Sequence, residues 1–169
     1  MSHFLGTHQN RLDSKGRVSV PAPFRIALRT PGSEPGLNDA SLVLRPSHKH
    51  TCIEAWPSSV FNELATPLKA MDLFGEDADD LRTALYADAW PVEPDKEGRI
   101  VLPDSLVQYA GLTDAVVFMG LGRQFQIWEP AAAARRTAVA RERARSRSLT
   151  LPGSAAAAPG SPAATKEAA

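Results

Sequence analysis

Ten residues occur twice in this chain in nearly the same form, and this repeat limits the folds that the chain can adopt. LDSKGRVSVP occupies positions 12–21, and PDKEGRIVLP occupies positions 94–103. Each position of the second copy stands 82 residues after its counterpart, as Asp95 does after Asp13. An internal repeat marks a duplicated structural unit. The chain of 169 residues therefore predicts two related units.

Each copy contains the pattern Asp-x-x-Gly-Arg, which is typical of a tight turn between two strands. Aspartate tolerates turn conformations, and its side chain accepts hydrogen bonds from backbone amides just ahead of it. Glycine supplies the positive φ that residues with side chains avoid. Asp13 and Gly16 therefore predict a structural turn in the first copy, and Asp95 and Gly98 predict the same turn in the second.

In both copies the turn is followed by a short strand that begins with arginine. Aliphatic residues alternate along it, which is the pattern of a half-buried strand. Alternation directs Arg17 and Arg99 outward. Four aliphatic residues can face the core: Val18, Val20, Ile100 and Leu102. On composition alone, a structural hairpin with a solvated arginine explains each copy completely.

The duplication adds a functional hypothesis, because it places two outward arginines at equivalent positions. If the two units pack about a pseudo-twofold axis, Arg17 and Arg99 contribute to one basic surface. Arginine is the side chain that best forks onto guanine edges and phosphates. Arg11 and Lys15 lie near the first turn, and Lys96 lies near the second. These five residues are the candidates for DNA binding.

Composition and periodicity divide the chain into regions and predict a mainly β chain with short helices, an α+β class. The regions are a first unit at 1–57, a helical connection at 58–90, a second unit at 91–130, an Arg/Ala-rich helix at 131–148 and a disordered tail at 149–169. Ser58 is a candidate cap for a helix in the connection. The spacing of one amphipathic helix is shown by Phe61, Leu64, Ala65 and Leu68. In the second unit, Gly111 stands just past a predicted helix end.

The C-terminal regions have unusual compositions. Six arginines and one glutamate lie within positions 131–148, among alanines that favour a helix. This helix either keeps the protein soluble or adds attraction to phosphate, and both interpretations stay open. The tail is rich in Ala, Pro, Gly and Ser and has too little to bury to offset its ordering entropy.

The totals describe a chain without an obvious compartment signal. Nineteen basic and nineteen acidic residues cancel, so any attraction to DNA must come from local patches. Cys52 has no partner for an internal disulfide, which fits a reducing compartment. We see no secretory signal and no run of about 18 apolar residues. A cytoplasmic protein is expected.

The other sequence patterns give only weak indications of a metal site, of base stacking or of catalysis. His48, His50 and Cys52 alternate, but a fourth metal ligand is not evident and a turn is predicted there, so no metal site is expected. The three tryptophans stand at element ends, where packing is favoured over base stacking: Trp56, Trp90 and Trp128. No serine lies within a nucleophile motif. We expect no catalysis, no cofactor and no small-molecule substrate.

The paired turns resemble those of the MraZ proteins, bacterial transcriptional regulators with two SpoVT/AbrB-type domains in one chain. LDSKGRVSVP, DKEGRIVLP and the later FQIWEP carry the resemblance, which covers roughly residues 1–130. It implies that each unit is a β-β-α-β-β element. It further implies that the two interlock as a pseudodimeric swapped-hairpin β-barrel.

The resemblance also implies a function. MraZ proteins form ring-shaped oligomers and bind short direct repeats in double-stranded DNA upstream of their own gene, at the head of the division and cell-wall cluster. They act there mainly as repressors, which implies a nucleoid-associated protein. The family's DNA-binding arginine corresponds to Arg17 and Arg99, and Lys15 matches the first motif. Glu97 departs from the pattern, so the first turn is expected to contribute more affinity.

Two alternatives remain on the same barrel. One is an antitoxin-like protein whose barrel binds DNA and whose tail neutralises a toxin, although residues 131–169 contain few apolar anchors. The other is a protein-interaction module that no longer binds DNA. Salt-sensitive retention on a DNA resin would separate this module from a regulator.

Overall fold

The computed structural model describes residues 3–29, 41–72 and 74–152. Internal contacts divide the chain into one compact unit that ends at Ala134 and a second that begins at Arg135. Most of the predicted tail, residues 153–169, lies outside the described residues. No helix of the described residues is long and apolar enough to cross a membrane.

Both copies of the repeat have the same order of elements. The first comprises β1 (Thr7–Arg11), β2 (Arg17–Ser19), α1 (Ala22–Leu28), β3 (Leu42–Pro46) and β4 (Ile53–Pro57). The connection comprises α2 (Ser58–Glu63), α3 (Ala65–Leu68), α4 (Glu76–Arg82) and a π-helical turn (Thr83–Ala87). The second copy comprises β5 (Trp90–Val92), β6 (Arg99–Val101), α5 (Asp104–Tyr109), β7 (Ala115–Gly120) and β8 (Phe125–Trp128), and α6 (Pro130–Ser146) follows.

The two copies exchange strands reciprocally. Strand β1 pairs with β7, and β5 pairs with β3, so the first strand of each copy joins the third strand of the other. The second strands pair with each other, as do the fourth strands. All of these pairs are antiparallel. Neither copy can therefore complete its hydrogen-bonded ladders alone.

The described strands do not form the closed barrel that was expected. They make a six-stranded sheet, in the order β1-β7-β8-β4-β3-β5, and a separate ribbon of β2 and β6. Only an isolated bridge between Leu12 and Val18 continues from the first strand towards the ribbon. The two ladders are therefore not continuous.

The core lies between the ribbon and the large sheet. Four residues in or just after the ribbon strands were predicted to face inward. All four are buried: Val18, Val20, Ile100 and Leu102. Four phenylalanines pack beside them with ring centroids 5.0–6.3 Å apart: Phe4, Phe24, Phe118 and Phe125. Helices α1 and α5 contribute Phe24 and Leu106 to this core. The alternation in the sequence thus correctly predicted which ribbon residues are buried.

The helical connection differs from its prediction in two respects. Ser58 is the first residue of α2 and makes no capping bond, because Pro57 occupies the cap position. The single helix predicted across Phe61–Leu68 is broken after Glu63. Pro67 explains the break, since a proline ring clashes with the carbonyl four residues earlier, which is that of Glu63.

The tryptophans are buried to different degrees. Trp128 is buried, in agreement with the packing prediction. Trp90 on β5 is instead 45% exposed. Strand β5 is an edge of the sheet, so one side of Trp90 has no neighbouring strand to cover it. Gly111 has a φ of +63° just after α5, as the sequence predicted for a helix end.

Candidate nucleic-acid interface

The first Asp-x-x-Gly-Arg turn is held together by Asp13. Oδ1 of Asp13 accepts hydrogen bonds from the backbone amides of Lys15 at 2.9 Å and Arg17 at 2.8 Å. Oδ2 of Asp13 accepts a bond from Nε of Arg17 at 2.8 Å. One aspartate therefore closes the turn with one oxygen and positions the arginine with the other.

The second turn repeats this arrangement. Oδ1 of Asp95 accepts from the backbone amides of Glu97 and Arg99, both at 2.9 Å, and Oδ2 accepts from Nε of Arg99 at 3.1 Å. In both turns the glycine amide donates to the carbonyl of the aspartate. Asp13 and Gly16 thus make the same contacts in the first turn as Asp95 and Gly98 make in the second.

Both turn glycines occupy a conformation that only glycine adopts easily. The φ angles are +77° for Gly16 and +78° for Gly98. A Cβ on Gly16 would lie 2.9 Å from the carbonyl oxygen of Leu102, and one on Gly98 would lie 2.3 Å from Cδ of Arg25. The backbone conformation therefore favours glycine at both positions. At Gly16 the nearby backbone oxygen excludes a side chain as well, whereas at Gly98 the Arg25 side chain would have to move.

The ribbon brings the two turns together. Arg17 is opposite Val101, and Arg99 is opposite Ser19. Residues in such a diagonal relation on an antiparallel pair lie roughly 7–8 Å apart. The two arginines share the outer face of the ribbon, because the residues between them, Val18 and Ile100, are buried. The sequence predicted both the outward orientation and the equivalence of these arginines.

Hydrogen bonds and nearby charges favour the ionised forms of the aspartate in each turn and of Arg99. The pKa of Asp13 is lowered chiefly by the hydrogen bond from the backbone amide of Arg17 and next by its guanidinium. The pKa of Asp95 is lowered chiefly by the backbone amide of Arg99. Asp95, Glu97 and, more weakly, Asp13 raise the pKa of the Arg99 guanidinium. The influence of Asp13 on Arg99 connects the two turns electrostatically.

The two arginines differ in the atoms that they leave available. The side chains of Arg17 and Arg99 are similarly exposed, at 39% and 38%. Nη2 of Arg99 forms an ion pair with Oε2 of Glu97 at 2.6 Å. Within the described part of the chain, Nη1 and Nη2 of Arg17 form no hydrogen bond, so its outer edge faces solvent.

The other predicted residues surround this face. Arg11 ends β1, and Lys15 and Lys96 lie within the two turns; all three are exposed. Sequence reasoning missed Arg25 on α1, whose Nη1 donates to the carbonyl of Glu97 at 3.1 Å. The two residues are 72 positions apart, so no local pattern could have revealed this contact.

The Arg/Ala-rich helix is present as α6, which begins at Pro130 and ends at Ser146. The residues of its second half, from Arg141 onward, are exposed, and Arg145 pairs with Glu142 at 3.2 Å. Over the described ranges, no group of three or more His, Cys, Asp or Glu side chains is arranged to hold a metal ion.

The chain contains two interlocked copies of a β-β-α-β-β element, and each copy contributes one Asp-Arg turn to a shared ribbon. This architecture defines a class of duplicated β-ribbon proteins. The family model described as "MraZ protein, putative antitoxin-like" matches residues 3–83 and 85–136. The chain belongs to the MraZ family.

Curated relatives agree with this family assignment. A protein of Gluconacetobacter diazotrophicus named transcriptional regulator MraZ is 60% identical over 152 residues, which cover 90% of this chain and 93% of the relative. A protein of the same name from Gluconobacter oxydans is 60% identical, with 86% and 87% covered. A third, from Xanthobacter autotrophicus, is 38% identical, with 77% and 79% covered. The chain thus spans most of the length of these relatives.

Proposed function

We propose that this chain is a transcriptional regulator that binds double-stranded DNA sequence-specifically through the two turns of its ribbon. The observation that most directly supports this proposal is the way the Arg17 guanidinium is held. Its Nε is fixed by Asp13 at 2.8 Å, while its two outer nitrogens face solvent. A guanidinium held by Nε presents a fork that suits O6 and N7 of guanine in the major groove.

The remaining site residues have distinct roles. Arg99 makes the equivalent contact more weakly, because Glu97 occupies one of its outer nitrogens and brings a negative charge towards phosphate. Lys15, Lys96 and Arg11 are exposed cations that contact the DNA backbone. Phosphate contacts position a protein on DNA, and base contacts specify the sequence. No catalytic step and no cofactor form part of this function.

Family membership supports a more specific role. The protein represses its own division and cell-wall gene cluster by binding short direct repeats in the promoter, and it acts in the cytoplasm at the nucleoid. It assembles as a ring in which several copies engage several repeats. Binding of later copies is then effectively intramolecular, which raises the affinity of a chain with no net charge.

The reciprocal strand pairing supports a swapped-hairpin origin for the fold. The first strand of each copy pairs with the third strand of the other copy, in the pairs β1–β7 and β5–β3. Two copies of one ancestral element that once paired as separate chains would produce this connectivity after fusion.

Fluorescence anisotropy with the DNA just upstream of the protein's own gene tests the function. A good bidentate contact contributes about 1–3 kcal/mol of discrimination. Arg17→Ala should therefore lower specific affinity on the order of tenfold or more, and Arg99→Ala should lower it less. Both variants should keep the wild-type unfolding temperature.

Arg123→Ala is the matched control. Arg123 is an exposed arginine in the β7–β8 turn that pairs with Glu63, so its removal changes charge equally without touching the ribbon. If Arg17→Ala binds its upstream DNA as tightly as Arg123→Ala does, the site assignment is wrong.

One other function has a specific observation behind it, because the family model itself carries the description antitoxin-like. An antitoxin-like chain would also bind DNA through its barrel, so binding of a toxin by its tail is what would distinguish it from the regulator. A purely protein-binding chain would not prefer its upstream DNA, and equal, weak and salt-sensitive binding to upstream and scrambled duplexes would favour that function.

A further inference from the structure

We propose that the second turn carries its own pocket for a DNA phosphate, formed by Arg25, Arg29 and Lys96. This inference rests on the proposed DNA-binding function and adds to it Arg25 of α1 and Arg29, the residue just after α1. The structure has a surface cavity of about 130 Å³ at this place, and the three cations contribute to its lining.

Arg25 is held in position before any ligand arrives. Its Nη1 donates to the carbonyl of Glu97 at 3.1 Å. Its side chain also lies against Gly98, where an added Cβ would come within 2.3 Å of both Cδ and Nη1. The absence of a side chain at Gly98 thus lets the arginine approach the turn. A cation fixed by two such contacts loses little conformational entropy when it binds an anion.

The other two cations are not neutralised by the turn. Arg29 and Lys96 are exposed, and neither forms an ion pair within the described residues. Asp95 also lines the cavity, but both of its oxygens already accept hydrogen bonds from the amides of Glu97 and Arg99 and from the Arg99 guanidinium. Three cations therefore surround one carboxylate that is already bonded, and the pocket attracts an anion.

The three cations of this pocket are not repeated at the first turn. The positions that correspond to Arg25, Arg29 and Lys96 at the constant offset of the repeat are Val107, Gly111 and Ser14. The two turns therefore have different roles. The first turn presents Arg17 to the DNA bases. The second turn binds the DNA backbone, and its cations offset the negative charge of Glu97.

The double variant Arg29→Ala/Lys96→Ala tests the pocket without removing the hydrogen bond from Arg25 to the carbonyl of Glu97. Anisotropy is measured with upstream and scrambled duplexes at several salt concentrations. Each lost phosphate contact reduces the slope of log affinity against log salt by about 0.9. Because the pocket holds one phosphate, we expect the slope to fall by about 1. Affinity for both duplexes should fall by the same factor, so the preference for the upstream duplex stays unchanged.

Arg123→Ala/Lys69→Ala is the matched control, because it removes two exposed positive charges away from the ribbon. The inference is overturned if the two double variants have the same slope, since the effect would then be one of net charge. It is also overturned if the pocket variant loses preference for the upstream duplex, since the residues would then read bases.

A further titration separates a DNA phosphate from a free anion. Inorganic phosphate is added at constant ionic strength while the unfolding temperature is recorded. Stabilisation of the wild type but not of the pocket variant, together with an unchanged DNA slope, would assign the pocket to a free anion and overturn the proposal. If the wild type shows no preference for its upstream DNA, the proposed function is wrong. The salt slope measured on scrambled DNA still shows whether the pocket binds a DNA phosphate.

Discussion

Asp13 shows how one residue joins a turn to a candidate binding site. One carboxylate oxygen accepts amides of the turn, and the other fixes Nε of Arg17. The hydrogen bonds from the backbone amide and the guanidinium of Arg17 lower the pKa of Asp13, so the ionised form that holds the arginine persists to more acidic pH than it would for an isolated aspartate. Because Gly16 must adopt a positive φ for these bonds to form, the geometry of Arg17 depends on a residue that carries no side chain.

At the residue scale, Gly16→Ala should destabilise the protein more than Gly122→Ala does. Both glycines have a positive φ, of +77° and +84°. A left-handed conformation costs a residue with a side chain about 1–2 kcal/mol. Only at Gly16 does a Cβ also approach a backbone atom, the carbonyl oxygen of Leu102 at 2.9 Å, whereas Gly122 has nothing within 4 Å.

Urea unfolding of the two glycine variants measures this difference. The loss of unfolding free energy in Gly122→Ala measures the cost of the positive φ angle. The additional loss in Gly16→Ala measures the cost of the close approach between the new Cβ and the carbonyl oxygen of Leu102. Equal free energies of unfolding would show that the ribbon adjusts to a methyl group at the turn without cost.

At the scale of elements, the sheet holds the helical connection through a buried ion pair. Arg45 on β3 lies opposite Glu54 on β4, and their side chains are 2% and 9% exposed. Nη2 of Arg45 also donates to the carbonyl of Ala84 in the π-helical turn at 3.0 Å, and Trp56 donates to Glu54 at 3.1 Å. The connection between the copies is thereby attached to the sheet through polar contacts.

Glu54→Gln should therefore lower the free energy of unfolding by about 3–5 kcal/mol, because it leaves the Arg45 guanidinium buried and without a counter-ion. Glu63→Gln is the control, since its partner Arg123 is exposed and such surface pairs contribute about 0–1 kcal/mol. The measurement is urea unfolding at neutral pH. A similar small loss in both variants would show that water or a neighbouring group replaces Glu54.

At the scale of the whole molecule, stability depends on the exchange of strands between copies. Strand β7 of the second copy borders β1 of the first, and β3 of the first copy borders β5 of the second. The ribbon consists of one strand from each copy. Buried residues of both copies form one hydrophobic cluster, so each half alone would expose apolar surface and unpaired strand edges.

We expect fragments 1–88 and 89–136 to be unfolded or self-associated when separate and to form a folded one-to-one complex when mixed. The reason is that four strand pairings join the two fragments. Circular dichroism and size-exclusion chromatography test this expectation. A monomeric fragment that unfolds cooperatively would contradict it.

The sequence by itself determined the features that depend on neighbouring residues. Asp13 and Gly16 specify a turn through their own side-chain and backbone preferences, and alternation then buries Val18 and exposes Arg17. Gly111 ends a helix for the same local reason. The local signals were incomplete at Ser58, where a proline before it takes the cap position.

Only the tertiary structure decided which distant segments meet. Alternation fixes the face of a strand but not its partner, so the β1–β7 pairing and the open ends of the six-stranded sheet were not predictable. The burial of Arg45 and the contact of Arg25 with Glu97 likewise depend on chain crossings. A side chain's preferences act over a few residues, whereas partners across 72 positions are selected by the packing of the shared core.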